Sequence, residues 1–265
     1  CGKRFADDVE LVPMMPFYRI RFDDGDTFDY SGDPAQVRAE IARFAPGDIA
    51  GYDHYMRESE AIYRVGFEQL GDVPFNSFWD MLKIVPDMAR LGSYRTVYGL
   101  VSKYIQDPRL RMVLSFHPLL IGGNPLTVTS IYALISFLER NWGVHSAMGG
   151  TGSLVKGLVG LIEGQGNQIR CNAEVAEITV SGKRATGVRL KSGEVIPADV
   201  VVSNADAAWT YRYLVPAEHR HRWTDRRLER ARYSAGLFVW YFGTKKRHEE
   251  VPHHSILLGP RYQGL

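Results

Sequence analysis

Between Met112 and Leu138 the chain carries no Asp, Glu, Lys or Arg, and His117 and Tyr132 are its only titratable side chains. A run so poor in charge has to be covered, because apolar surface left in water is costly. Gly122-Gly123-Asn124-Pro125 interrupts it, and Ser and Thr recur, which argues against a membrane-spanning helix. Two coverings remain open. One is a plain pair of core helices. The other is the wall of an apolar cavity for a long hydrophobic substrate, faced by Phe116, His117, Tyr132 and Phe137.

The flanking sequence is that of a globular protein. With 265 residues, 45% hydrophobic and 23% charged, the chain can bury a sizeable core as one large domain or two modest ones. Residues 18–30 alternate apolar and polar side chains around Asp24-Gly25, a hairpin signal. From 34 to about 140 the pattern is helical. Ile49, Tyr52, Met56, Ile62 and Tyr63 mark one amphipathic helix, and Tyr94, Val97, Tyr98, Val101 and Ile105 another. Asp107-Pro108 sets a capping acid before a proline at the first helical position. Past Gly150 the register changes: a helix to about 163, then strands over 169–171, 175–180 and 185–190 with Ser-Gly turns. A buried strand over 200–202, a helical segment over 217–232 and a strand "GLFVWYFG" follow. This is an α/β (α+β) arrangement in which a helical layer is inserted between strand regions.

Three glycines, Gly149, Gly150 and Gly152, open the helix after 150. They fail the dinucleotide fingerprint, since a third glycine at the required spacing, a preceding buried strand and a later acid are all missing. A glycine-permitted turn into a helix is the simpler reading, although free amides there could still face a polar ligand. "ADVVVSNAD" combines an apolar run with small polar residues. Either Ser203, Asn204 and Asp206 sit in the crevice beyond a strand end, or Asn204 and Asp206 simply cap a turn. Asp80 and Lys83, three apart on a helix, read as a surface ion pair or as an acid/base pair at a pocket mouth. "EHRHRWTDRRLERAR" holds six arginines and two histidines, with Glu218, Asp225 and Glu229 interleaved. A solvated charged helix or an anionic membrane surface suits it better than nucleic acid, and a net charge of +2 adds no global pull. No metal site is expected: Cys1 and Cys171 have no ligand spacing, and no carboxylate pattern supports His248, His253 and His254.

"VPFNSFWDML", "SFHPLLIGGNP", "TSIYALISFLERNWGV", "GGTGSLVKGL" and "ADVVVSNAD", in that order, resemble the bacterial phytoene desaturases. These are FAD-dependent carotenoid desaturases of the flavin amine oxidase superfamily, and the likeness runs from about residue 17 to 262. It implies the middle of a Rossmann-like FAD-dependent oxidoreductase with a sheet-based substrate domain and an inserted helical, membrane-facing region. Four divisions follow: 1–33 substrate-domain strands, 34–147 helical substrate/membrane region, 148–210 FAD-contacting helix and strands, 211–265 return to the substrate domain. The implied activity is desaturation of phytoene toward lycopene with FAD as acceptor, at the inner face of the cell membrane from the cytoplasmic side.

By residue, the resemblance places Gly149 and Gly150 near flavin and substrate. Val175 matches a position whose backbone meets the adenine side, and Ser203 and Asn204 match a loop beside the cofactor. Asp80 and Lys83 are its catalytic candidates, although the family often carries arginine at the second position, which removes a bidentate contact. The family's glycine-rich FAD segments lie near its two ends, and neither is in this sequence. The chain starts at Cys1 without an initiator methionine or a signal-peptide pattern, so a piece with both ends missing, poor at holding FAD alone, is expected. Another desaturase or isomerase of the same family, or a noncatalytic hydrophobic-ligand or membrane-binding module, are the competing expectations.

Overall fold

After a turn of helix (α1, Phe5–Asp8) and a short strand (β1, Leu11–Pro13), the alternation in residues 18–30 folds as a hairpin. β2 (Tyr18–Phe22) pairs antiparallel with β3 (Thr27–Tyr30), from Tyr18↔Tyr30 to Arg21↔Thr27. Gly25 turns the corner at φ +86°, a conformation that favours glycine. The structure, a computed structural model, describes residues 2–74, 77–234 and 236–264. It divides into two compact units, one made of residues up to 154 together with those from 234 onward, the other of residues 155–233.

The first unit is mostly helical, and its helices start where the sequence supplies caps. Asp33 accepts from the Ala35 amide to start α2 (Pro34–Phe44). The chain continues into α3 (Ile49–Tyr63), prolonged by a π turn over Arg64–Gln69. Ser77 caps α4 (Phe78–Arg90), Thr96 caps α5 (Val97–Tyr104), and Asp107 caps α6 (Pro108–Ser115) with proline at the first position, as its sequence predicts. The uncharged stretch then becomes the end of α6, two 3₁₀ turns (His117–Ile121 and Ser130–Ala133) and the start of α7 (Leu134–Trp142). Ile20, Phe28, Ile41, Tyr52, Tyr55, Ile62, Leu100, Leu110 and Leu114 are essentially fully buried and form the core of this unit.

Several polar groups inside that core are paired across elements, although the buried Ser31 and Ser102 hydroxyls have no partner among the described residues. The Ser59 hydroxyl donates to the Ala133 carbonyl at 2.6 Å and accepts from the Phe137 amide at 3.0 Å, which ties α3 to α7. Asp48 is buried and accepts from the Gln106 and Asp107 amides at 2.8 and 2.7 Å, fixing the entry to α6.

β4 (His145–Ala147) pairs antiparallel with β1, and Gly149 and Gly150, both left-handed, turn the chain into α8 (Thr151–Gly164). The second unit then contains a meander of β5 (Val175–Ser181), β6 (Arg184–Leu190) and β7 (Val195–Pro197). Gly182 and Gly193 take positive φ at its turns. Asp206 caps a short α9 (Ala207–Trp209), and after a π turn over Thr210–Leu214 and a 3₁₀ turn over Ala217–His219 comes α10 (Asp225–Glu229). Back in the first unit, β8 (Ser255–Leu258) joins β2 in parallel, giving the order β3-β2-β8.

Four expected elements are corrected. Residues 169–170 are irregular and Cys171 begins a turn, so no strand forms there. Residues 200–202 and 236–243 are extended or irregular without a ladder, and among the described residues their backbones make no hydrogen bond to another backbone group. Apolar β-formers give a strand only where a neighbouring strand takes their amides and carbonyls. Val202 and Phe238 are accordingly 86% and 92% exposed, not buried. The single helix expected over 217–232 is broken into two short pieces. Arginines at 222, 226 and 230 repeat at helical spacing, where like charges oppose helix formation.

Candidate functional site

The helix α4 is the most amphipathic element of the chain, and both of its faces are apolar in part. Its start is fixed by a capping box: the Ser77 hydroxyl accepts from the Asp80 amide at 3.3 Å, and the Asp80 carboxylate accepts from the Ser77 amide at 3.1 Å. On one side Met81, Ile84 and Met88 face Ile62 of α3, Val65 of its π turn and Leu70 just after that turn. Together with Gly66, Leu91 and Ile131 they enclose a cavity of about 240 Å³, in which Asp87 and Ser93 are the polar-chain neighbours among the described residues. That volume lies below the roughly 300–1,000 Å³ of common ligand pockets. It admits a length of hydrocarbon rather than a whole polyene. On the other side of α4, Phe78 and Trp79 are 74% and 70% exposed, with Leu82 and Val85 beside them.

None of the four expected substrate-facing residues lines this cavity. Phe116 and His117 are buried and stacked on each other with ring centroids 4.3 Å apart, edge-on to Tyr18. Phe137 packs on Tyr63 at 5.2 Å, and Tyr132 is partly exposed. Most of the uncharged stretch packs into the core instead, and among the described residues Ile131 alone of it lines the cavity.

A residue absent from the sequence reading sits at the centre of that core. Glu139 is buried, accepts the Tyr18 hydroxyl at 2.6 Å through Oε1, and places Oε2 3.2 Å from His117 Nε2. Burial, and then the neighbouring carboxylate, pushes the Tyr18 phenol well above its ordinary value. Its signal was available: Glu139 is the acid that ends the uncharged run.

Asp80 and Lys83 do stand together, with Nζ 3.6 Å from Oδ1, on the exposed start of α4. The Ser77 hydroxyl and amide, with Lys83 adding to them, hold the Asp80 carboxyl below the usual carboxylate range. A carboxylate held down in this way is a poor proton acceptor at neutral pH.

The expected cofactor contacts fall in both units. In the first, Gly149 at φ +81° and Gly150 at φ +79° turn toward α8. A Cβ on Gly149 would meet Ser153 Oγ at 2.6 Å, whereas Gly150 has open space where its side chain would be. In the second, Val175 opens β5 opposite Leu190. Ser203 and Asn204 are exposed, with Ser203 Oγ 2.8 Å from Thr210 Oγ1. The histidines go elsewhere: His253 meets Ser146, His254 meets the Phe17 carbonyl, and His248 meets Glu250. Among the described residues no group of three or more His, Cys, Asp or Glu could hold a metal ion.

The sequence model of the flavin-containing amine oxidoreductases matches residues 4–262. The chain belongs to that family. A phytoene desaturase (neurosporene-forming) of Rhodobacter capsulatus is 49% identical over 99% of this chain and 51% of its own length. The corresponding protein of Cereibacter sphaeroides is 47% identical over 100% of this chain and 52% of its own. A phytoene desaturase (lycopene-forming) of Pseudescherichia vulneris is 44% identical over 100% of this chain and 54% of its own. The chain thus spans about half the length of the curated relatives it matches.

Each unit, taken by itself, carries a feature that a flavin could meet at an edge. The open space beside Gly150 would let a flat ring come close to backbone. The backbone of residues 199–205, free of backbone partners among the described residues, offers amides and carbonyls to a polar ligand. No Gly-x-Gly-x-x-Gly turn stands in the sequence to take a pyrophosphate, so the fit covers contacts and not a complete site.

Proposed function

We propose that this chain forms the central region of an FAD-dependent oxidoreductase that desaturates phytoene toward lycopene in carotenoid biosynthesis. The observation that carries the reading is identity of 44–49% sustained over 99–100% of the chain to desaturases acting on phytoene. The apolar cavity under α4 supports it, since a polyene precursor offers nothing to hydrogen-bond and is selected by shape. When bound, FAD supplies a two-electron acceptor for hydrogen removed from an allylic carbon. The chain's residues would orient and shield. Met81, Ile84, Met88, Ile62 and Val65 hold a stretch of hydrocarbon away from water, while Gly149, Gly150, Val175, Ser203 and Asn204 contact the cofactor. Asp80 caps α4 and Lys83 pairs with it, and neither receives a proton-transfer role.

In this reading the protein works peripherally at the inner face of the cell membrane. None of its described helices is long and apolar enough to cross a bilayer. Phe78, Trp79, Leu82 and Val85 give α4 an apolar outer face of the kind that lies in a membrane interface. The test is expression of the complete reading frame that encodes this chain, assayed with FAD on phytoene in liposomes. Conjugated products absorbing in the visible are expected. Bound flavin without conjugated product would remove phytoene as substrate, and absence of flavin would remove the class.

A further inference from the structure

The arginine-rich segment of the second unit is not explained by oxidoreductase chemistry, and its charges are not neutralised evenly. Two of its carboxylates are taken: Arg220 lies 2.6 Å from Asp225, and Arg212 lies 3.7 Å from Glu229. Arg226, Arg227 and Arg230 are left to line a recess of about 520 Å³ with Trp223, Thr224 and Ala231, and among the described residues no acidic side chain shares that lining. The three belong to α10 or follow it directly, at relative spacings of one, three and four, so their guanidinium groups repel one another across one helical turn. Repulsion of that kind is relieved by an anion placed among them.

The recess is held in shape. Leu228 is buried beneath α10, and the Tyr233 hydroxyl donates to its carbonyl at 2.7 Å. Trp223 stacks on Tyr211 with centroids 5.4 Å apart, and the Arg227 guanidinium lies 4.8 Å from the indole on its other contact. Thr224, at the cap position of α10, makes no capping hydrogen bond, which leaves its hydroxyl as an uncommitted donor at the rim. Guanidinium forks match phosphate oxygens two at a time, a geometry that lysine cannot reproduce.

We propose that Arg226, Arg227 and Arg230, with Trp223 and Thr224, form a binding site for a phosphate-bearing anion, either a phospholipid headgroup or a free phosphate. Nothing in this site depends on the desaturation reading, and it can fail or hold independently of it. The test titrates the full chain with vesicles of phosphatidylcholine and phosphatidylglycerol in roughly equal parts, with phosphatidylcholine vesicles alone, and with inorganic phosphate. Combined Arg226→Gln, Arg227→Gln and Arg230→Gln substitution is expected to weaken whichever probe binds by about tenfold or more. Combined Lys245→Gln, Lys246→Gln and Arg247→Gln removes the same charge from another exposed segment and is expected to weaken it by less than about threefold. Replacing the three site arginines by lysine should give intermediate binding, and it keeps the surface charge that folding sees. Binding confined to the anionic vesicles assigns the site to a headgroup, and binding of inorganic phosphate assigns it to a free anion. Equal losses in the two glutamine variants, full binding by the lysine variant, or no binding of any probe would each overturn the site.

Discussion

Two regions of this chain have similar apolar content and opposite fates. Around α3, α6 and α7, leucines, isoleucines and tyrosines disappear into a core in which Ser59 and Glu139 find partners. In residues 200–202 and 236–243, valines and aromatics of equal hydrophobicity stand in solvent. What separates them is the supply of partners. A helix satisfies its own backbone and needs only one covering neighbour, which the sequential helices of the first unit provide. A strand needs a second strand for its backbone before its side chains can be buried. Within the described residues these two segments have none.

The strongest test of that contrast pairs two deletions of apolar side chain. Leu114 is fully buried on α6, so Leu114→Ala should cost about 2–5 kcal/mol in unfolding free energy measured by denaturant. Val202→Ala, at a position 86% exposed, should stay within about 0.5 kcal/mol of the parent. Comparable losses at both positions would mean that residues 200–202 are covered in solution, and the contrast drawn here would collapse.

Much of the covered region was legible in the sequence. Asp107 and the hairpin glycine Gly25 mark local events whose chemistry lies within a few residues, and the structure honours both. The spacing of Ile49, Tyr52 and Met56 was enough to place α3. Long-range facts were not legible. The parallel pairing of β2 with β8 joins Ile20 to Ile256, and no local pattern announces it. The cavity under α4 is another long-range fact: an amphipathic period tells that α4 has an apolar face but not which helix that face meets. Family membership was readable from ordered motifs, because a match of many short segments in sequence does not depend on knowing their contacts.

A second, smaller effect follows from tyrosines buried on the covered side. Burial pushes the Tyr52 phenol up to about 12, above the value of about 10 for an exposed tyrosine. Because the folded value is the higher one, the contribution is complete below pH ~10 and is lost as pH rises toward ~12, the unfolded chain releasing its proton first. Stability should therefore decline with a slope of about 1.4 kcal/mol per pH unit for this group, and Tyr52→Phe should remove that share. Tyr18 and Tyr30, pushed up mainly by burial, add slope of the same sign. Denaturant titrations at pH values spanning this window, on both proteins, check the prediction. Parallel pH profiles would show that Tyr52 is solvated.

The smallest effect concerns α4, which is intermediate between the two regions. None of its residues is fully buried, yet it forms a helix of thirteen residues even with Pro86 in its interior. Local hydrogen bonds must then carry more of its stability than packing does, and the Ser77–Asp80 box is the strongest of them. Ser77→Ala should cost about 1 kcal/mol. That loss should be confined to α4, because the core helices bury their own contacts and would not unfold with it. Amide hydrogen exchange along α4 should speed up roughly fivefold, the equivalent of that free energy, while the amides of α3 and α6 keep their protection. Adding anionic vesicles offers the opposite perturbation. If Phe78 and Trp79 enter an interface, protection of α4 rises and the cost of losing Ser77 shrinks, because lipid replaces the capping box as the main restraint. Exchange in α4 that ignores the vesicles would leave its outer face as solvent-exposed surface and detach the membrane from the role proposed for this helix.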